Sequence, residues 1–122
     1  VCIIGRSLVV GKPLSILMLN ANATVTVCHS KTENSKEVAK RADILVAAIG
    51  KAKAIGSSYC KEGATVIDVG INVDADGNLC GDVDYDTMKT VAEKLSPVPG
   101  GLGAVTTAVL AKHVVKAYQL LH

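Results

Sequence analysis

The chain has 122 residues; 49% are hydrophobic, 20% are charged, and the only aromatics are three Tyr. With 36 Val, Ile or Leu residues it is not a disordered chain, and one domain of this length can bury an aliphatic core. A net charge of +2 is too small for the basic footprint of nucleic-acid or anionic-membrane binding, and so few aromatics argue against base-stacking platforms.

Val1–Ile4 reads as a first strand ending at Gly5. Because Val1 already lies inside an apolar run, the sequence is expected to be part of a longer protein. It shows no secretory or transit signal, and no apolar run approaches the roughly 20 residues that span a bilayer. Pro13 suits the first helical position, and Leu14, Leu17, Met18 and Ala21 follow at the spacing of one helix face. A second strand is expected over Ala23–Val27, ending at Cys28-His29-Ser30. Ser35–Arg41 is a short polar helix with Val38, Ala39 and Ala42 on its inner side. Third and fourth strands fall at Ile44–Ala48 and Thr65–Val69. Three of the four runs are nearly continuous apolar, as parallel strands covered on both faces should be.

Asp74–Asn78 briefly resembles a calcium loop, but its glycine and the position of the closing glutamate are out of register, so Asp76-Gly77 is read as a tight turn. Asp82 is read as a turn residue and Asp84 as an N-cap. Tyr85, Met88, Ala92 and Leu95 then repeat at helical spacing and predict a third helix. The last and longest helix is expected from Leu102 to Leu121, striped by Leu102, Val105, Val109, Val114, Ala117 and Leu121. Cys2, Cys28, Cys60 and Cys80 contain no CxxC pair; they read as buried free thiols in a reducing, cytoplasmic setting, with no zinc site. His29 is read as a loop histidine, and no metal site is expected. The alternation predicts an α/β fold, a Rossmann-like, doubly wound, mostly parallel sheet with helices on both faces, as one domain over residues 1–122.

In such a sheet ligands bind beyond the carboxyl ends of the strands. Every Gly-rich or polar cluster of the chain follows a predicted strand or precedes the last helix. Gly5–Pro13 joins a strand to a helix N-terminus, where free N–H groups and the dipole favour phosphate, although Ser7 stands where GxGxxG has its second glycine. A tight packing turn is the alternative there. At the end of the second strand an acid normally holds a ribose 2′-hydroxyl. Here stands Cys28-His29-Ser30-Lys31-Thr32, which with Arg6 suits a 2′-phosphate: NADP, with NAD possible. Pro97–Gly103 combines two stiffening prolines with three glycines that let backbone approach a flat ligand.

Six motifs in order carry a resemblance: Gly5-Arg-Ser-x-x-Val-Gly-x-Pro13, Ala23-Thr-Val-Thr-x-Cys-His-Ser-x-Thr32, Ala42-Asp-Ile-Leu-Val46, Gly63-Ala-x-Val-Ile-Asp-Val-Gly-Ile-Asn72, Gly81-Asp-Val-Asp84 and Pro97-Val-Pro-Gly-Gly-x-Gly103. Together they resemble the C-terminal cofactor domain of the bifunctional methylenetetrahydrofolate dehydrogenase/methenyltetrahydrofolate cyclohydrolases. The resemblance implies NADP+-dependent oxidation of 5,10-methylenetetrahydrofolate and hydrolysis of the product to 10-formyltetrahydrofolate, in the one-carbon metabolism that serves purine biosynthesis. It implies cofactor contacts at Gly5, Arg6, Ser7, Ser30 and Ile71, a folate side at Pro99, Gly100, Gly101 and Leu102, and a homodimer in the full-length protein. The family's Tyr-x-x-x-Lys motif, with the catalytic lysine, belongs to its N-terminal domain and is expected to have no counterpart here. No catalytic residue is therefore assigned, and the chain is expected to bind cofactor without turnover. Ala104-Val105, Lys51-Ala52 and Ala111–Val114 depart from the family's usual Pro-Met, Lys-Pro or Gln-Pro, and Asn-Thr. The competing readings are the Rossmann domain of another NAD(P)-dependent oxidoreductase and a non-catalytic nucleotide-binding module.

Overall fold

The computed structural model describes all of residues 1–122. Its strands are β1 (Cys2–Ile4), β2 (Thr26–Cys28), β3 (Ile44–Ala47), β4 (Thr65–Asp68), β5 (Asn72–Val73), β6 (Leu79–Cys80) and β7 (Lys94–Leu95). Five of them form one sheet in the order β2-β1-β3-β4-β7, parallel at every pairing, while β5 and β6 form a separate antiparallel hairpin. The three residues of β1 are all buried, as a strand covered on both faces requires. From β1 the chain steps outward to β2, then returns across β1 to β3. Right-handed crossovers in opposite directions place α1 (Gly11–Asn20) and α2 (Ser35–Ala39) on opposite faces of the sheet.

Side chains alternate along each strand, so Cys2, Ile4, Leu45, Ala47 and Val66 share one face and pack with Ala39, Ile55, Val83 and Met88. Ile3 and Val46 are buried on the other face. All four cysteines are free and buried. The Asp76-Gly77 turn closes the β5–β6 hairpin, with the Asp74 carboxylate accepting from the N–H groups of Asp76 and Asn78, both at 3.0 Å.

The doubly wound parallel sheet is as the sequence predicts; several elements are not. The helix after Asp84 is a single turn, α3 (Tyr85–Met88), and Leu95 lies in β7. There Glu93 N donates to Ala64 O and Ser96 N to Val66 O, so strand pairing with β4 takes the backbone that a longer helix would have used. Asp84 occupies the N-cap position without a side-chain capping bond, and Asp82 is fully buried rather than a turn residue. Strand β2 sits later than Ala23–Val27, α2 stops at Ala39, and Pro13 is the third residue of α1. On α1 the inward residues are Leu14, Ser15 and Met18, all half-buried, whereas Leu17 and Ala21 are exposed. Helix α4 (Leu102–Leu121) has the predicted limits but buries no residue.

Candidate functional site

Parallel strands bring all their carboxyl ends to one edge. Along it, in spatial order, lie His29-Ser30 after β2, Gly5–Ser7 after β1, Ile49–Lys51 after β3, Gly70-Ile71 after β4 and Pro97–Gly101 after β7. The chain reverses its direction across the sheet between β1 and β3, which is the switch point where ligands of such folds lie.

A cavity of ≈ 530 Å³ opens there, lined by Gly5, Arg6, Ser7, His29, Ser30 and Thr32 together with Ile49, Lys51 and Tyr59. Gly5 has φ +127°, and a Cβ on it would run into the carbonyl oxygen of Ala48, so the loop passes hard against the end of β3. Its N–H donates to Cys28 O at 2.8 Å, tying the β1 and β2 loops together. The Ser7 hydroxyl accepts from the N–H groups of Val10 (3.0 Å) and Gly11 (3.4 Å), and Ser7 O accepts from Lys12 N (3.0 Å). The first amides of α1 are thus satisfied by Ser7, not held open for phosphate as the sequence suggests. The N–H groups of Arg6 and Ser7 have no partner in the chain, and with the Arg6 guanidinium they are donors open to a ligand in this cavity. His29 N donates to Thr32 Oγ1 (2.9 Å) and Lys31 N to His29 Nδ1 (3.2 Å); this closed turn leaves Ser30 exposed. No acidic side chain lines the cavity, while Arg6 and Lys51 do, so its charge and its volume both suit a phosphorylated nucleotide.

A second cavity, of ≈ 390 Å³, is lined by residues 68–71, Leu79, Pro97–Gly103 and Thr106. Gly100 adopts φ +92°, the Val98–Pro99 peptide is cis, and Thr106 Oγ1 is occupied in donating to Leu102 O at 3.0 Å. Apart from Asp68, whose carboxylate is taken up by backbone N–H groups, this is an apolar and backbone-lined slot, fit for a flat ring. The predicted residues therefore divide: Gly5, Arg6, Ser7 and Ser30 share the first cavity, and Ile71 shares the second with Pro99, Gly100, Gly101 and Leu102.

Sequence reasoning missed Ile49 and Tyr59 in the first cavity, which the Gly50-Lys51 cluster flanks, and two buried carboxylates, Asp68 at the edge of the second cavity and Asp82 behind the rim. Asp68 accepts from Gly70 N (2.9 Å), Asp82 N (3.0 Å) and Val83 N (3.0 Å). The Tyr-x-x-x-Lys spacing, expected to be absent, does occur at Tyr85–Lys89. Lys89 there binds Asp86 at 2.7 Å and lines neither cavity; that hydrogen bond raises its pKa and lowers that of Asp86. Lys53 likewise holds Asp74 at 2.9 Å, tying the hairpin to the loop after β3 and lowering the carboxyl's pKa. No group of three His, Cys, Asp or Glu side chains is placed to hold a metal ion, and no helix is long and apolar enough to cross a membrane.

The family model for the tetrahydrofolate dehydrogenase/cyclohydrolase NAD(P)-binding domain matches residues 1–122. Among curated proteins, the chain is 59% identical over 120 residues to the bifunctional protein FolD of Clostridioides difficile and 58% identical over 122 residues to that of Carboxydothermus hydrogenoformans. Each alignment takes in 98% of this chain but 42% of the relative. The solved bifunctional FolD of Campylobacter jejuni superposes with TM-score 0.94 at 40% identity, over 99% of this chain and 43% of that one. The Trypanosoma brucei enzyme, solved with NADP cofactor and an inhibitor, gives TM-score 0.86 at 36% identity, over 97% and 42%.

Proposed function

Because the chain belongs to the tetrahydrofolate dehydrogenase/cyclohydrolase family, as its NAD(P)-binding domain, we propose that residues 1–122 form one domain that holds NADP+ for the oxidation of 5,10-methylenetetrahydrofolate to the methenyl form and its hydrolysis to 10-formyltetrahydrofolate. The observation that carries the reading is the meeting of Arg6 and Ser30 in one acid-free cavity at the switch point. Bound there, NADP+ supplies the hydride acceptor. Arg6 and Ser30 bind the 2′-phosphate, the amides of Arg6 and Ser7 take the pyrophosphate, and Gly5 keeps the backbone low enough for it to approach. Ile71 flanks the nicotinamide, and Pro99, Gly100, Gly101 and Leu102 border the folate. The full-length protein is a cytoplasmic homodimer that binds no nucleic acid. Four free cysteines support the reducing compartment, and the small net charge supports the last point.

Titration calorimetry with NADP+ and NAD+ tests the cofactor assignment. Arg6→Ala should weaken NADP+ by about tenfold or more, the scale of one charge-assisted phosphate contact, and leave NAD+ within about twofold. Equal loss for both cofactors refutes 2′-phosphate recognition.

A further inference from the structure

The carboxylate of Asp82 is fully buried, faces no cation, and has no part in the cofactor contacts above. Its Oδ2 accepts from the N–H groups of Ile49 (2.6 Å) and Gly50 (3.0 Å); its Oδ1 accepts from Lys51 N (2.9 Å) and Asn72 Nδ2 (2.9 Å). Three successive backbone amides converging on one point make an anion-binding concavity, and the chain fills it with its own side chain. The fit is close on the remaining side too, since a Cβ on Gly70 would strike this carboxylate. Asp68 in turn pins the backbone of Asp82 and Val83.

The groups so gathered belong to different parts of the rim. Ile49 and Lys51 line the cavity of Arg6 and Ser30, whereas Gly70 and Ile71, which precede Asn72, line the Gly-rich cavity. A dinucleotide reaching from one cavity to the other must pass over the β3 loop between them. We propose that Asp82 is a positioning residue for the cofactor: its carboxylate fixes the β3 loop against Asn72 and so sets the separation of the two half-sites that a dinucleotide must span. The inference rests on the cofactor reading given above. Two ligand halves joined covalently gain affinity only when both sites are held at the matching distance, while a ligand confined to one site is indifferent to it. In Asp82→Asn an amide group faces the backbone donors, so at least one N–H loses its acceptor and the loop is released.

The test is calorimetry on the protein at its full natural length, titrating NADP+ and adenosine 2′,5′-bisphosphate, which fills only the Arg6 cavity. Asp82→Asn should weaken NADP+ by about tenfold or more and the bisphosphate by less than about threefold; Asn72→Ala, which removes one donor of four, should shift NADP+ alone by about threefold. Should Asp82→Asn fail to fold, Asn72→Ala decides by the same split. Unchanged NADP+ affinity in folded variants, or equal weakening of both ligands, overturns the positioning role while the cofactor reading stands. A wild-type protein that binds neither ligand overturns both.

Discussion

Two buried thiols show how little a cysteine's identity says until its surroundings are known. Cys2 and Cys28 lie on neighbouring strands with their Sγ atoms 3.7 Å apart, and burial, reinforced by Cys28, pushes the Cys2 pKa from 9.0 up to about 12. A raised acid pKa means that the folded state keeps a proton that the unfolded chain sheds. Stability is therefore unaffected below pH 9.0 and falls as pH climbs toward 12, by up to about 1.4 kcal/mol per unit. Urea unfolding at about pH 8 and about pH 10 should show a smaller alkaline loss for Cys2→Ala than for wild type, since the packing cost of the substitution is the same at both. Parallel losses would show that Cys2 ionises in the fold.

Among the elements, those that local pattern could specify were the ones legible from sequence. The strand-end clusters at Gly5 and Ser30 are marked by apolar runs that stop abruptly, and α4 by an unbroken run without Pro or a mid-helix glycine after Gly103. Strand β7 was hidden because Leu95 continues the spacing of Tyr85, Met88 and Ala92, and a two-residue strand has no period of its own; pairing with Thr65 and Val66 decided it. Asp82 was hidden for a related reason: its partners, Ile49 to Lys51, lie more than thirty residues away in sequence. On α4 the periodic stripe is real but faces nothing: Val105 is 56% exposed and Leu121 81%. A helix that buries no side chain contributes little to the sheet beneath it, so truncating residues 104–122 should move the urea-derived stability by less than about 0.5 kcal/mol. A loss above about 1 kcal/mol would mean that α4 packs on the sheet in solution.

Taken as a whole, and on the function proposed above, the molecule would offer a cofactor cradle and one side of a reaction chamber. Hydride transfer needs the reacting carbons held near contact, and hydrolysis of the methenyl product needs a group that can move a proton at the substrate. Along the rim the titratable side chains are few. Asp68 and Asp82 are buried and already accept backbone or amide hydrogens, His29 accepts from Lys31 N, and Lys89 sits away from both cavities against Asp86. Lys51 lines the Arg6 cavity, not the Pro97–Gly103 slot where the flat substrate would lie. The chain spans about 42% of the length of the curated relatives it matches. The 122-residue chain should therefore bind NADP+ yet form no reduced cofactor when mixed with 5,10-methylenetetrahydrofolate, as followed by absorbance. Turnover above the enzyme-free control would place an acid–base group and a closed substrate site within these residues, and would overturn the division of labour argued for the rim.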